Sequence, residues 1–296
     1  MLLYPNCKIN LGLRITSKRP DGYHEIETIF YPVFRLSDVL EVHHSLGSDI
    51  ELEQGGMKVD CRAEDNLVVK CYRRMKERYP KVGGVQVRLE KRIPFGAGLG
   101  GGSSDAAYMA YAVNELFSLG LTREELAAEV RELGADCPFF LYNTPCYATG
   151  IGEILRPIDL SLRGMRLIML KPDVYVSTRE AYAGITPYQE PHLLDTVNLS
   201  PFTFQRGFPE KSADFWGPLH LSPLINDFEK SVFEKHPLLA RLKEGLLAAG
   251  AVYAAMSGSG STIFGLFQND AEGCADAYLR GLDEETASMI IFDDTL

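Results

Sequence analysis

"IPFGAGLGGGSSDAAYMA", Ile93–Ala110, sets five glycines and two serines ahead of a run with helical spacing. Glycines permit positive φ, which turns successive backbone N–H groups to one side, and Ser103 and Ser104 stand where a helix would begin. The turned amides and the positive end of that helix suit an anion, so phosphate binding is the natural reading. A tight strand-to-helix turn with serine caps, and Asp105 stabilising the first turn, accounts for the same residues. Gly96-Ala97-Gly98-Leu99-Gly100-Gly101 also fits G-x-G-x-x-G. However, the strand before it alternates and ends in Lys91-Arg92-Ile93-Pro94, unlike the buried first strand of a dinucleotide fold. No glycine in the chain is followed by lysine, so there is no Walker A loop.

Working outward, "VQVRLEKRIP" alternates as a half-buried strand running into the loop, and "SSDAAYMAYAVNELFSLG" reads as a helix closed by Gly120. "LTREELAAEVRELG" follows as a second helix, with Thr122 and Glu125 at capping-box spacing. Upstream, "DNLVVKCYRRMKERYP" is a helix behind Asp65 or Asn66 as N-cap, with basic last turns and Pro80 at its end. At the N-terminus Ile9, Leu11, Leu13 and Ile15 alternate with Lys8, Asn10, Gly12 and Arg14, so Lys8 and Asn10 share the polar face of a strand. Pro20-Asp21-Gly22 then turns the chain, and Ile26, Thr28 and Phe30 bring it back as the second arm of a hairpin.

Downstream, "MRLIMLKPDVYVS" is expected as a fresh strand, which puts a boundary near Asp159 between units 1–159 and 160–296. The chain closes with the helix "PLLARLKEGLLAAG", the strand "AVYAAM", the turn "SGSGS" and the strand "TIFGLF". Tyr188 to Pro218, rich in Pro and aromatic residues without a period, is expected as an insertion. Alternating strands with separate helices indicate α+β rather than a doubly wound parallel sheet.

The formal charge of −10 argues against nucleic-acid or membrane-surface partners, and any anionic ligand must meet locally gathered cations. The cysteines form no C-x-x-C pair and no zinc-spaced cluster, and no metal-ligand set is expected. Without a signal-peptide pattern or a membrane-length apolar run, the expected location is cytoplasmic, as a monomer or weak homodimer.

Three further stretches, "PNCKINLGL", "GADCPFF" and "MSGSGSTIF", join the glycine loop in an order and with a chemistry that resemble the GHMP small-molecule kinases. The resemblance covers nearly the whole chain. It implies a two-domain fold, with an N-terminal domain like domain 2 of ribosomal protein S5 and a ferredoxin-like C-terminal domain. "PNCKINLGLRITSKRPDGYHEIETIF" is similar to the start of those members whose acceptor is 4-diphosphocytidyl-2-C-methyl-D-erythritol. For them the reaction is transfer of the ATP γ-phosphoryl group, with Mg²⁺, to the acceptor's 2-hydroxyl in non-mevalonate isoprenoid synthesis.

On this resemblance Asp136 matches the catalytic aspartate and Lys8 the catalytic lysine, although a turn carboxylate and a solvated strand lysine would look the same at these positions. Asn10 is a candidate for the substrate diol or diphosphate. Tyr23 and His24 match the cytidine-binding pair, Phe30 could extend that wall, and Lys18 and Arg19 lie within sequence reach of the diphosphate. On the donor side Asn66 and Leu67 match adenine-facing positions, and Lys91 is expected at phosphate or adenine. Pro94, Gly96, Gly98, Leu99, Gly100, Gly101, Gly102, Ser103 and Ser104 form the expected ATP loop, and Ser257 to Ser261 a second small-residue loop at the substrate.

Asn6-Cys7 stands before the lysine where the family commonly has alanine. Kinases of the mevalonate or homoserine type remain the neighbouring alternative, lacking a reason for the Tyr-His pair. A nucleotide-binding protein without catalysis would have no need of Lys8 with Asp136.

Overall fold

The structure, a computed structural model, describes residues 1–58, 62–185, 188, 224–268 and 273–296. The first half of the chain runs β1 (Leu2–Leu3), β2 (Asn6–Lys18), β3 (His24–Ser37), β4 (Val39–His44), β5 (Ile50–Gly56), α1 (Leu67–Arg78), β6 (Val85–Lys91), α2 (Gly101–Leu116), α3 (Arg123–Arg131), α4 (Cys137–Tyr142), β7 (Cys146–Thr149) and β8 (Ile154–Pro157). The second half runs β9 (Arg166–Leu170), α5 (Thr178–Ala183), α6 (Phe228–Lys235), α7 (Pro237–Ala248), β10 (Tyr253–Met256), β11 (Ile263–Phe267), α8 (Cys274–Gly281), α9 (Glu284–Ser288) and β12 (Ile290–Thr295). The architecture is α+β.

The described residues form three four-stranded sheets, in the orders β1-β4-β6-β5, β2-β3-β7-β8 and β10-β11-β9-β12. The last is antiparallel throughout and is built by a β-α-β-β-α-β path, the ferredoxin-like arrangement. Its strands pack on the β2-β3 hairpin: Cys7, Ile9, Leu11, Ile29 and Val33 share one core with Leu167, Met169, Tyr253, Phe264 and Leu266. The opposite face of β2 is covered as well. Phe30 and Ala148 meet Ala107 of α2 and Phe139 and Phe140 of α4. The polar residues of β2 therefore lie between a core and a helical layer, although alternation alone assigns them to a solvated face.

Local signals explain most boundaries. The Asn66 side chain accepts from the Val68 N–H at 2.9 Å and starts α1. Thr122 and Glu125 form the reciprocal capping box of α3. Two extents differ from expectation. Helix α2 begins at Gly101 and ends at Leu116, because Ser118 adopts a φ of 48° and breaks it before Gly120. The strand expected to run through "KPDVYVS" stops at Leu170: Lys171 donates its N–H to the Met289 carbonyl, and Pro172 has no amide to continue the ladder. Apart from Tyr188, the stretch to Pro218 lies outside the described residues.

Candidate active site

Between β6 and α2 the glycine loop folds with φ of +62° at Gly96, +76° at Gly98 and +71° at Gly100. Three consecutive carbonyls turn into the protein: Ala97 accepts from the Thr262 N–H at 3.3 Å and Leu99 from the Lys8 N–H at 3.0 Å, while Gly98 accepts from the Ser257 hydroxyl at 3.0 Å. The amides of Gly98, Leu99 and Gly100 meet no protein acceptor among the described residues. Gly98 must be glycine for a second reason, since a Cβ there would lie 2.0 Å from the Ser257 carbonyl oxygen. The "SGSGS" turn is thus pressed against the glycine loop. Asn226 holds that turn in place, donating to the carbonyls of Met256 at 2.8 Å and Gly258 at 2.7 Å.

The serines do not cap α2. Its N-cap is Gly100, with no side-chain cap bond, and Ser103 and Ser104 sit inside the first turn. The Ser104 hydroxyl is fully buried and has no hydrogen-bond partner among the described residues. Free loop amides, a helix N-terminus and an unengaged hydroxyl are what a polyphosphate cradle requires. Among the described residues no group of three or more His, Cys, Asp or Glu side chains is gathered to hold a metal ion.

Beside this cradle, Lys8 is only 3% exposed. Its ammonium lies 3.5 Å from an Asp136 carboxylate oxygen, donates to the Asn10 side-chain oxygen, and stands 4.8 Å from the Phe30 ring centroid. Burial lowers the Lys8 pKa below the ordinary lysine value, while Asp136 pulls it back up. Asn10 is fixed in turn: it donates to Thr28 Oγ1 at 2.9 Å, and Thr28 donates to the Gly12 carbonyl at 2.6 Å. Asp136 occupies the N-cap position of α4 but its side chain makes no cap hydrogen bond. With its side chain 32% exposed, the carboxylate is available to Lys8 and to a ligand.

The hairpin tip carries an aromatic group. His24 stacks on Tyr182 of α5 with centroids 4.5 Å apart and planes 16° from parallel, and Tyr188 is tilted at 6.0 Å. Burial, aided by Lys18, lowers the His24 pKa. Tyr182 is itself braced edge-on by Phe228 at 4.8 Å. Its hydroxyl is pushed up to about 12 by burial and, secondarily, by the negative charge of Asp136. Tyr23 is 59% exposed at the tip. Arg19 is held by Asp21 at 3.1 Å and Glu25 at 3.3 Å, and Lys18 is exposed.

Two expected site residues, Phe30 and Lys91, are taken up by protein partners in the core, and the Asn66 side chain is engaged locally. Phe30 is 2% exposed and tilted against Phe139 at 5.3 Å, so its ring supports Lys8 from the core and offers no wall to a nucleobase. Lys91 points beneath the loop, bonded to Asp38 and, at 2.5 Å, to Asp105. Burial disfavours that ammonium, but the two carboxylates outweigh it and raise its pKa. Asn66 spends its amide on the α1 cap and on Gln54. Leu67, half-buried, does approach the loop, 3.6 Å from where a Gly102 Cβ would stand. Pro94 is half-buried at the loop's entrance. Sequence reasoning missed Tyr182, Thr28 and Asn226. Only tertiary packing distinguishes them from ordinary helix, strand and loop residues.

Comparison with known proteins gives matches to both halves of the chain. Residues 66–144 match the GHMP kinases N terminal domain and residues 216–282 the GHMP kinases C terminal domain. The chain is 47% identical over 270 residues to a 4-diphosphocytidyl-2-C-methyl-D-erythritol kinase of Bacteroides thetaiotaomicron, covering 90% of this chain and 92% of that one. It is likewise 47% identical over 269 residues to the enzyme of that name from Parabacteroides distasonis, with the same coverage. A crystal structure of 4-(cytidine 5'-diphospho)-2C-methyl-D-erythritol kinase superposes with a TM-score of 0.74 at 32% identity, over 94% of this chain and 95% of that chain. Mevalonate kinase of L. major shares the fold at a TM-score of 0.66 and 16% identity, over 100% of this chain and 94% of that chain.

Proposed function

The chain belongs to the GHMP kinases, and from that premise we infer that it transfers the γ-phosphoryl group of ATP to the 2-hydroxyl of 4-diphosphocytidyl-2-C-methyl-D-erythritol, a step of isoprenoid precursor synthesis. The observation that carries the reading is the buried Lys8–Asp136 pair set against the glycine loop, on the same chain as the Tyr182–His24 stack at the hairpin tip.

In this reading the loop from Gly96 to Gly102 and the hydroxyls of Ser103 and Ser104 hold the polyphosphate, with Leu67 toward the adenine. Mg²⁺ brought in with the nucleotide would supply positive charge to the transferred group, and no protein ligand is assigned to it. Asp136 accepts the proton of the acceptor hydroxyl. Lys8, fixed by Asn10 and supported by Phe30, orients that hydroxyl and balances the charge that develops as it attacks. The neutral His24 imidazole reads the cytosine edge beside the Tyr182 ring, with Tyr23 at the rim. We place the domain boundary near Asp159, between β8 and β9, and the protein in the cytoplasm. No helix among the described residues is long and apolar enough to cross a membrane.

The test is acceptor choice. Purified protein with ATP and Mg²⁺ should phosphorylate the cytidine-diphospho acceptor at least a hundredfold more efficiently than mevalonate or homoserine. A preference for either of those would place it in another GHMP branch. Nucleotide binding without transfer to any acceptor would make it a non-catalytic member.

A further inference from the structure

A closed side-chain network ties together the elements that carry Lys8 and Asp136. The Asn6 side-chain oxygen accepts from Tyr108 Oη at 3.0 Å and from Asn143 Nδ2 at 2.7 Å. Its Nδ2 donates to Asn143 Oδ1 at 3.1 Å and to the Cys7 carbonyl at 3.0 Å. Asn143 Nδ2 also donates to Tyr108 Oη at 2.9 Å. Both donors and both acceptor sites of the Asn6 amide are used, which fixes its orientation.

Its three members come from the three elements that supply the reaction centre. Asn6 opens β2, two residues before Lys8. Tyr108 is on α2, whose N-terminus is the glycine loop. Asn143, with φ of 52°, terminates α4, the six-residue helix that Asp136 begins. The Cys7–Lys8 peptide is gripped at both ends, its carbonyl by the Asn6 amide and its N–H by the Leu99 carbonyl of the loop.

We propose that Asn6, Tyr108 and Asn143 are positioning residues that set the distance between Lys8 and Asp136. The proposal rests on the kinase reading above. These side chains act through the backbone of β2 and α4 rather than on substrate, so loosening them misplaces Lys8 against Asp136 while the ATP and acceptor walls stay in place. A misplacement of about 1 Å is worth up to about a hundredfold in rate.

Two variants keep volume or backbone: Tyr108→Phe removes only the hydroxyl, and Asn143→Gly removes the amide at a positive φ that glycine adopts freely. Each is expected to lower kcat about tenfold or more, with KM for ATP and for the acceptor within about twofold of wild type. Melting temperature and active-site titration measured beside the kinetics separate turnover from loss of folded protein. Wild-type kcat in both variants, or a kcat loss that disappears once the folded fraction is corrected for, overturns the proposal. Asp136→Asn is run in parallel. If that variant turns over normally, the role given to Asp136 fails first, whatever the network variants do.

Discussion

Replacing Gly98 with alanine tests the junction of the two small-residue loops. At φ +76° a side chain costs about 1–2 kcal/mol of backbone strain. The added Cβ would lie 2.0 Å from the Ser257 carbonyl oxygen, where real Cβ contacts essentially never fall under 3.0 Å, so the loops must part by about 1 Å. That displacement breaks the Ser257 bond to the Gly98 carbonyl and moves the Leu99 carbonyl that holds Lys8. A shift of this size at the donor cradle predicts a loss of about a hundredfold in kcat/KM, or about 2.7 kcal/mol of transition-state stabilisation. Gly120→Ala is the control. It carries the same kind of strain at φ +75° but has nothing within 4 Å of its Cβ among the described residues, so it should lose about 1 kcal/mol of stability and no activity. Steady-state kinase assays and thermal melts of both variants decide the matter. Gly98→Ala turning over within threefold of wild type would refute the interlocked-loop argument.

The remaining predictions concern burial and protonation. Lys91→Met leaves Asp38 and Asp105 facing each other without a cation and should destabilise the fold by about 3–5 kcal/mol in denaturant titration, with KM for ATP in the folded protein unchanged. A rise in KM for ATP at unchanged stability would return Lys91 to the nucleotide. Because the His24 pKa is lowered, its neutral form persists through neutral pH. KM for the cytidine acceptor should therefore be flat from pH 8 to roughly 6.5 and rise only below that. A midpoint above the ordinary histidine value, or a flat profile in wild type that is also unchanged in His24→Phe, would remove that imidazole from cytosine recognition.

The local parts of this fold are legible in the sequence because each rests on neighbours along the chain. The Asn66 cap, the Thr122 capping box and the hairpin around Pro20-Asp21-Gly22 need no tertiary information. Lys8 and Asn10 are assigned to one face by alternation, but not to a buried face, because the covering helices α2 and α4 lie far along the chain, beginning at Gly101 and Cys137. The same gap explains Lys91 and Phe30. Adjacency to the loop and the hairpin suggested ligand contact, whereas Asp38, Asp105 and Phe139 claim those side chains in the core. Tyr182 is hidden for the converse reason: nothing in "STREAYAG" distinguishes it until α5 brings it against His24.

The most direct measurement follows the phosphorus. With ATP, Mg²⁺ and 4-diphosphocytidyl-2-C-methyl-D-erythritol, the wild-type protein should produce, by ³¹P NMR, ADP and a new phosphomonoester on the 2-hydroxyl. Asp136→Asn should bind ATP normally and form that product at least a thousandfold more slowly. Release of free phosphate without the ester, phosphorylation of a different hydroxyl, or a fully active Asp136→Asn protein would contradict the account.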